Sequence, residues 1–176
     1  MKNRIFSAAV ALIAATNLAF VGGAAHATTY TPVLVKTLST SGSGSIANIQ
    51  AVGDKVVFEY NDAIWVSDGT EAGTVELDAP ATLTSWDLQA DRWRTYSAEI
   101  DGALYFFGWN SADSAYQVYE TDGTSITQVT TGAGFSNYDL LVARGGDLYA
   151  WVENNENSNG YWDIDQITPA GVVSVL

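Results

Sequence analysis

The stretch Ile64-Trp65-Val66-Ser67-Asp68-Gly69-Thr70-Glu71-Ala72-Gly73-Thr74-Val75 decides the fold. An apolar, β-branched and aromatic run stops at Asp-Gly-Thr, and a second Gly-Thr opens onto another β-branched residue. Glycine supplies the positive φ of a tight turn, and an aspartate side chain accepts from backbone N–H groups two residues on, so the segment reads strand, turn, strand. Working outward, Gly53-Asp54-Lys55-Val56-Val57-Phe58 is another turn entering a strand, and Ile46 to Val52 is one more strand before it. Residues 46–77 therefore hold four short strands, A to D.

The unit recurs at about 93–130 and 138–176. Asp101-Gly102-Ala103-Leu104-Tyr105-Phe106 and Gly146-Asp147-Leu148-Tyr149-Ala150 repeat the turn and second strand. The anchors Val56, Leu104 and Leu148 lie 48 and 44 residues apart, a spacing typical of propeller blades. Asp122-Gly123-Thr124 repeats the Asp-Gly-Thr turn, and Thr168-Pro169-Ala170-Gly171 is a degenerate copy. Helical periodicity is lacking beyond the N-terminal apolar segment, although one helical turn fits within Thr84 to Arg92.

The expected fold is all-β: a propeller-like array of about three four-stranded antiparallel blades plus one extra N-terminal strand, Val33 to Leu38. Three blades leave open edges, and open edges invite pairing. Self-association, a compressed array or a piece of a longer protein would each answer this. The reading preferred here is that Val33 to Leu38 closes the edge of the last blade within the same chain. Alternation places Ile64 and Val66 on one face and Trp65 on the other, so stacked blades would bury Trp65 against a neighbouring blade.

Val33-Leu34-Val35-Lys36, a Ser/Gly linker, Ala51-Val52-Gly53 and the Ile64–Val75 stretch together resemble a family of secreted bacterial repeat proteins. That family is built around an E-L-W-x-S-D-G-T-x-x-G-T core. The likeness is fullest over 33–77. Over 100–130 Tyr119 stands in place of the tryptophan and the second Gly-Thr is missing, and over 144–176 only the strand rhythm remains. The resemblance implies a β-propeller-like layout and export. The family's members mostly carry no assigned activity, so it implies no chemistry.

Lys2 and Arg4 precede an apolar run from Ile5 to about Val21, and small residues lead to Ala25-His26-Ala27. This is the pattern of a secretory signal peptide cleaved after Ala27, leaving residues 28–176 as one secreted or periplasmic domain. Thr16, Asn17, Gly22 and Gly23 interrupt the run and argue against a retained membrane span. Removing 1–27 takes away Lys2, Arg4 and no acid, so five basic residues face 20 acidic ones and the net charge becomes −15. Such a surface repels nucleic acid and anionic lipid. With no cysteine, no disulfide framework forms and packing must supply the stability. His26, the single histidine, leaves with the leader. Ser-His-Asp triads, Cys-His pairs and zinc sites are then out of reach, and no cofactor is implied.

Up-and-down connectivity puts the A–B and C–D turns on one side of the blades and the B–C and D–A links on the other. The first side is short and regular, and Asp68 and Asp122 read as turn residues rather than cation ligands. The second side carries the variable insertions, where function usually sits on a regular scaffold. Trp86, Asp87, Asp91 and Asp113 are the candidate ligand-binding residues of this rim, with Asp62, Asp78, Phe135 and Glu156 nearby. Asn155-Glu156-Asn157-Ser158-Asn159-Gly160 mimics a calcium loop but has too little charge, and Asn159-Gly160 reads as a hairpin turn. No metal site and no catalytic residue is assigned. Three functions remain in competition: a non-enzymatic binding or interaction module, a lectin-like protein for carbohydrate or cations, and a carboxylate-based hydrolase. The exported protein is expected to begin at Thr28. Intact-mass measurement checks this, and a mass that includes residues 1–27 would overturn it.

Overall fold

The computed structural model describes residues 8–12, 33–39, 44–89, 95–132, 134–154 and 162–176. The leader's cleavage site, Asp91, Trp93 and the Asn155–Gly160 loop lie outside them. The described chain is all-β and antiparallel, with no helix.

Three up-and-down meanders account for most of it. The first is β3 (Ile46–Val52), β4 (Lys55–Tyr60), β5 (Ala63–Ser67) and β6 (Val75–Glu76), paired in that order as a separate four-stranded sheet. The second is β8 (Ser97–Ile100), β9 (Ala103–Asn110), β10 (Ala115–Thr121) and β11 (Ile126–Gln128). The third is β12 (Phe135–Arg144), β13 (Asp147–Asn154), β14 (Trp162–Ile167) and β15 (Val173–Val175). Their connections are the tight turns that the sequence dictates. Asp101-Gly102 and Gly145-Gly146 both have two consecutive positive φ values, as a two-residue hairpin on twisted strands requires.

The second and third meanders are not separate sheets. They share one nine-stranded sheet, which also takes in β7 (Leu83–Asp87). The cause is strand length. β9 and β10 have 8 and 7 residues, whereas their outer partners β8 and β11 have 4 and 3. The far half of β9 is left open and β7 pairs along it; the far half of β10 meets β12 at Tyr116–Phe135. Register shifts next to Asn137 and between Tyr138 and Leu140 then bend β12 away from that sheet plane. One helical turn was allowed for within Thr84 to Arg92; a strand stands at Leu83–Asp87 instead, because an unpaired ladder was waiting for it. Among the described residues no sheet closes on itself.

The core has two main layers, and β9 belongs to both. Leu104 and Phe106 join Val52, Val57, Ile64 and Val66 of the first sheet. Tyr105 and Phe107, on the opposite face, join Leu141, Leu148, Val152 and Ile167 of the third meander. The turns between the last two strands of a meander lean on the preceding one. A Cβ at Gly123 would lie 3.0 Å from Lys55 and 3.1 Å from Val66, and one at Gly171 would overlap the Val129 carbonyl.

The outer face of the first sheet carries Phe58 and Tyr60, with Trp65 half-buried over them. Trp65 stacks on Phe58 at 6.5 Å and meets Tyr60 edge-on at 6.0 Å. Its neighbours are thus on its own sheet, and the contact with the next layer is made by Ile64 and Val66. The expectation that Trp65 packs against a neighbouring blade is corrected on this point.

β2 (Val33–Ser39) crosses this outer face. Leu38 packs on the Phe58–Tyr60 cluster, and Lys36 Nζ donates to Thr74 O at 2.7 Å. The ladder partner of β2 is β1 (Ala8–Leu12), while β15 pairs only with β14 among the described residues. Closure of the last unit's edge by residues 33–38 is therefore not what forms. Its contacts hold β2 on the first sheet instead. β1 lies within the segment read as leader, so processing after Ala27 would remove that partner and leave the Lys36 and Leu38 contacts in place.

Phe106→Ala empties a fully buried site between the first two layers and is expected to cost about 3–5 kcal/mol. Trp65→Ala, at a half-exposed position, is expected to cost less. Denaturant titration of the two variants measures the order.

Candidate functional site

The Asp-Gly-Thr turns are closed on themselves. Asp68 Oδ1 accepts from Thr70 N at 2.8 Å and from Thr70 Oγ1 at 2.7 Å. Thr70 Oγ1 also accepts from Gly73 N, and Thr74 Oγ1 donates to Thr70 O. A Cβ at Gly73 would overlap the Asp68 carboxylate, which explains the second Gly-Thr of the motif. Asp122 holds Thr124 N and Thr124 Oγ1 in the same way. In both units the residue before the aspartate adds a bond: Ser67 Oγ accepts from Gly69 N at 3.1 Å and Thr121 Oγ1 from Gly123 N at 3.0 Å. With their oxygens turned onto their own loops, Asp68 and Asp122 serve the turns.

The rim is different where the β4–β5 hairpin faces β7. Asn61 and Asp62 both have positive φ and form the hairpin turn. A concavity of about 570 Å³ opens beside it, lined by Gly44, Ser45, Glu59, Tyr60, Asn61 and Asp62 on one wall and by Thr84, Ser85 and Trp86 on the other. Trp86 sits opposite Gly108 in the β7–β9 ladder, where the missing side chain leaves room for neighbouring groups, and its indole is half-buried against the first core layer. One flank of the ring rests on apolar packing while the remainder lines the concavity.

Glu59 pairs with Ile64 across the β4–β5 ladder and so points to the inner side, among apolar residues. Asn48 Nδ2 donates to its Oε2 at 3.0 Å and Leu88 N to its Oε1 at 3.4 Å. Burial pushes its carboxyl above the usual 4.5, the two donors pull it back, and the charges of Asp87 and Asp62 push it further up. Gln50 Nε2 and Ser97 Oγ both donate to Leu88 O, at 2.9 and 3.0 Å. Leu88 is thereby clasped from both layers, and Glu59 is part of the clasp.

Tyr60 is the unusual member. It is 4% exposed, it lines the concavity, and its hydroxyl has no hydrogen-bond partner among the described residues. A buried hydroxyl left unpaired is costly and rare, and it marks a place where a further polar group fits.

Of the four rim residues drawn from the sequence, Trp86 lines this concavity. Asp87 stands just behind it, its Oδ1 accepting from Gln89 N at 2.9 Å while its charge reaches Glu59. Asp113 is elsewhere, at the β9–β10 turn, where Oδ2 accepts from Gln117 and Gln128. Asp91 falls outside the described residues. Sequence reading passed over Glu59 and Tyr60. The signal was present in Val56-Val57-Phe58-Glu59-Tyr60: strand alternation places Glu59 on the same face as Val57, a charge where an apolar residue belongs. Among the described residues no group of three or more acidic or histidine side chains is placed to hold a metal ion.

No protein-family model matches the chain, and no curated protein matches it.

The turn carboxylates carry a pH signature. Hydrogen bonds from the Thr70 and Thr124 side chains, then from their backbone N–H groups, hold Asp68 and Asp122 below the usual 3.8. A depressed folded-state value stabilises the fold above the unfolded-state pKa, and that contribution is lost as pH falls through the lower folded value. Carboxyl titration by NMR is expected to place both midpoints below 3.8, with Thr70→Val raising that of Asp68.

Proposed function

We propose that the chain is an exported, non-enzymatic binding module on a propeller-like array of three four-stranded units, with the concavity beside Trp86 as its ligand site. The observation that carries this reading is Tyr60, which lines that concavity and whose buried hydroxyl has no hydrogen-bond partner among the described residues. Around it stand the Asn61 amide, the hydroxyls of Ser45, Thr84 and Ser85, the Asp62 carboxylate and one edge of an indole. An apolar ring flank beside many hydrogen-bonding groups suits a ligand with one apolar face and a fringe of hydroxyls, which describes a sugar ring. The lectin-like reading is accordingly the specific form of the proposal.

Two arguments favour binding over catalysis. The chain after Ala27 has neither histidine nor cysteine, so proton transfer would fall to carboxylates, lysines and tyrosines. Glu59, the carboxylate whose pKa is raised at the concavity, already accepts on both oxygens from Asn48 and Leu88. That arrangement suits a structural clasp. The leader pattern and the likeness to secreted bacterial repeats support a place outside the cytoplasm. The excess of acid argues against nucleic acid and anionic membranes as partners.

Titration of the purified protein with neutral mono- and oligosaccharides, followed by tryptophan emission and calorimetry, tests the proposal. Trp86→Ala is expected to weaken binding roughly tenfold or more, equivalent to about 1.4 kcal/mol or above. Tyr60→Phe is the sharper variant. It removes a hydroxyl without a partner among the described residues, so stability should hold or rise while affinity falls roughly tenfold. A Tyr60→Phe protein that binds as tightly as the parent would remove the basis of the assignment.

A further inference from the structure

Two tryptophans stand side by side on the outward face of the third meander. Residues two apart on a strand share a face, and so do cross-strand partners. Trp151 and Glu153 are two apart on β13, and Trp162 lies opposite Glu153 in the β13–β14 ladder. All three therefore point the same way, opposite to Val152, which is buried in the second core layer. Trp151 is 44% and Trp162 39% exposed, and their ring centroids are 5.4 Å apart with the planes tilted by 60°.

The two rings line a concavity of about 370 Å³ together with Asn137, Tyr138 and Asp139 of β12. That is within the size range of small-ligand sites. Tyr138 stacks on Phe107 at 4.3 Å and meets Tyr116 edge-on at 4.7 Å, which ties this wall to the core. Asn137 Oδ1 accepts from Tyr138 N at 3.0 Å. Asp139 is the extra residue at the register shift between Tyr138 and Leu140, and the bulge brings it to the concavity. Among the described residues no lysine or arginine lines this hollow, and it shares no residue with the concavity beside Trp86.

We propose that this concavity binds a small organic cation, its methylated ammonium group held against the indoles of Trp151 and Trp162 with the carboxylates of Asp139 and Glu153 at its margin. The face of an indole is negative, and tryptophan is the best of the aromatic side chains at attracting a cation. A methylated ammonium spreads its charge over apolar methyl groups, so the same rings serve it by contact and by charge. A bare metal ion needs a cage of oxygens instead, and no group of three or more acidic side chains is assembled among the described residues. A neutral sugar could stack on the rings but would gain nothing from the two charges beside them. The excess of acid in the chain draws cations and repels anions. A phosphate-bearing lipid headgroup meets that repulsion, and a free cation does not.

Calorimetry and tryptophan emission of the purified protein titrated with choline are the test, with its neutral carbon isostere, dimethylbutanol, as the uncharged probe of the same shape. Choline is expected to bind with a Kd on the order of millimolar, because the site is open to solvent, and more weakly as salt rises. The isostere should bind at least roughly tenfold less tightly. Trp151→Ala and Trp162→Ala should each weaken choline roughly tenfold, with unchanged far-ultraviolet circular dichroism. Glu153→Gln and Asp139→Asn, which keep side-chain size, should each weaken it roughly threefold and keep the test decisive if an indole variant unfolds. Trp86→Ala should bind choline like the parent, so the two sites stand or fall separately. Choline that gives neither heat nor an emission change would overturn the proposal. So would an isostere as tight as choline, or indole variants that bind like the parent. Binding to phosphatidylcholine vesicles without binding of free choline would overturn it equally.

Discussion

The two-sided burial of one strand holds this molecule together. Between Ala103 and Asn110, successive side chains enter different core layers: Leu104 and Phe106 go to one, Tyr105 and Phe107 to the other. A strand with apolar residues at both alternations has no solvated face, and it is stable only when covered from both sides. The first sheet covers one side and the third meander the other. With no cysteine in the chain, no disulfide ties the layers together, and the packing is joined only by hydrogen bonds such as those to Leu88 O and Gly123 O. The polar clasp on Leu88 adds direction at one corner and confines Glu59 to a structural role.

Much of the local structure was legible because it is written in short-range chemistry. Glycine at positive φ, aspartate accepting from the N–H two residues on, and strands of alternating or continuous apolar residues are properties of a few neighbouring residues. They gave the all-β class, the hairpin turns and the structural reading of Asp68 and Asp122. What was not legible depends on comparing segments far apart. That β9 outlasts β8, and so recruits Leu83–Asp87 as a strand, follows from two lengths measured against each other in space. The same holds for β10, β11 and β12. Trp65 was misjudged because alternation says which face a side chain takes, not what lies above that face. In place of a neighbouring sheet there is β2, held by Leu38 and Lys36.

The candidate site was half legible for a related reason. Trp86 stood out as a tryptophan in a linker, and it does line a concavity. Its position there comes from the recruitment of β7 to the open edge of β9 across from Gly108, which no local pattern announces. Glu59 and Tyr60 were hidden inside a strand, where a reading centred on loops does not look. Asp87 and Asp113 share the rim's acidity but belong to separate turns, each engaged with its own neighbours. A list of acidic residues on one side of a scaffold is therefore a poor guide to which of them meet.

The backward lean of the turns gives the chain a polarity. Gly123 rests against Lys55 and Val66, and Gly171 against Val129, so each unit is seated on the one synthesised before it. A polypeptide synthesised N-terminus first would find every seat built by the time its occupant arrives. The reverse order holds under mechanical load. A pull on the C-terminal strand lifts the last unit off its seat while the earlier seats stay occupied, so the molecule would yield stepwise from that end, like a zip with a single slider.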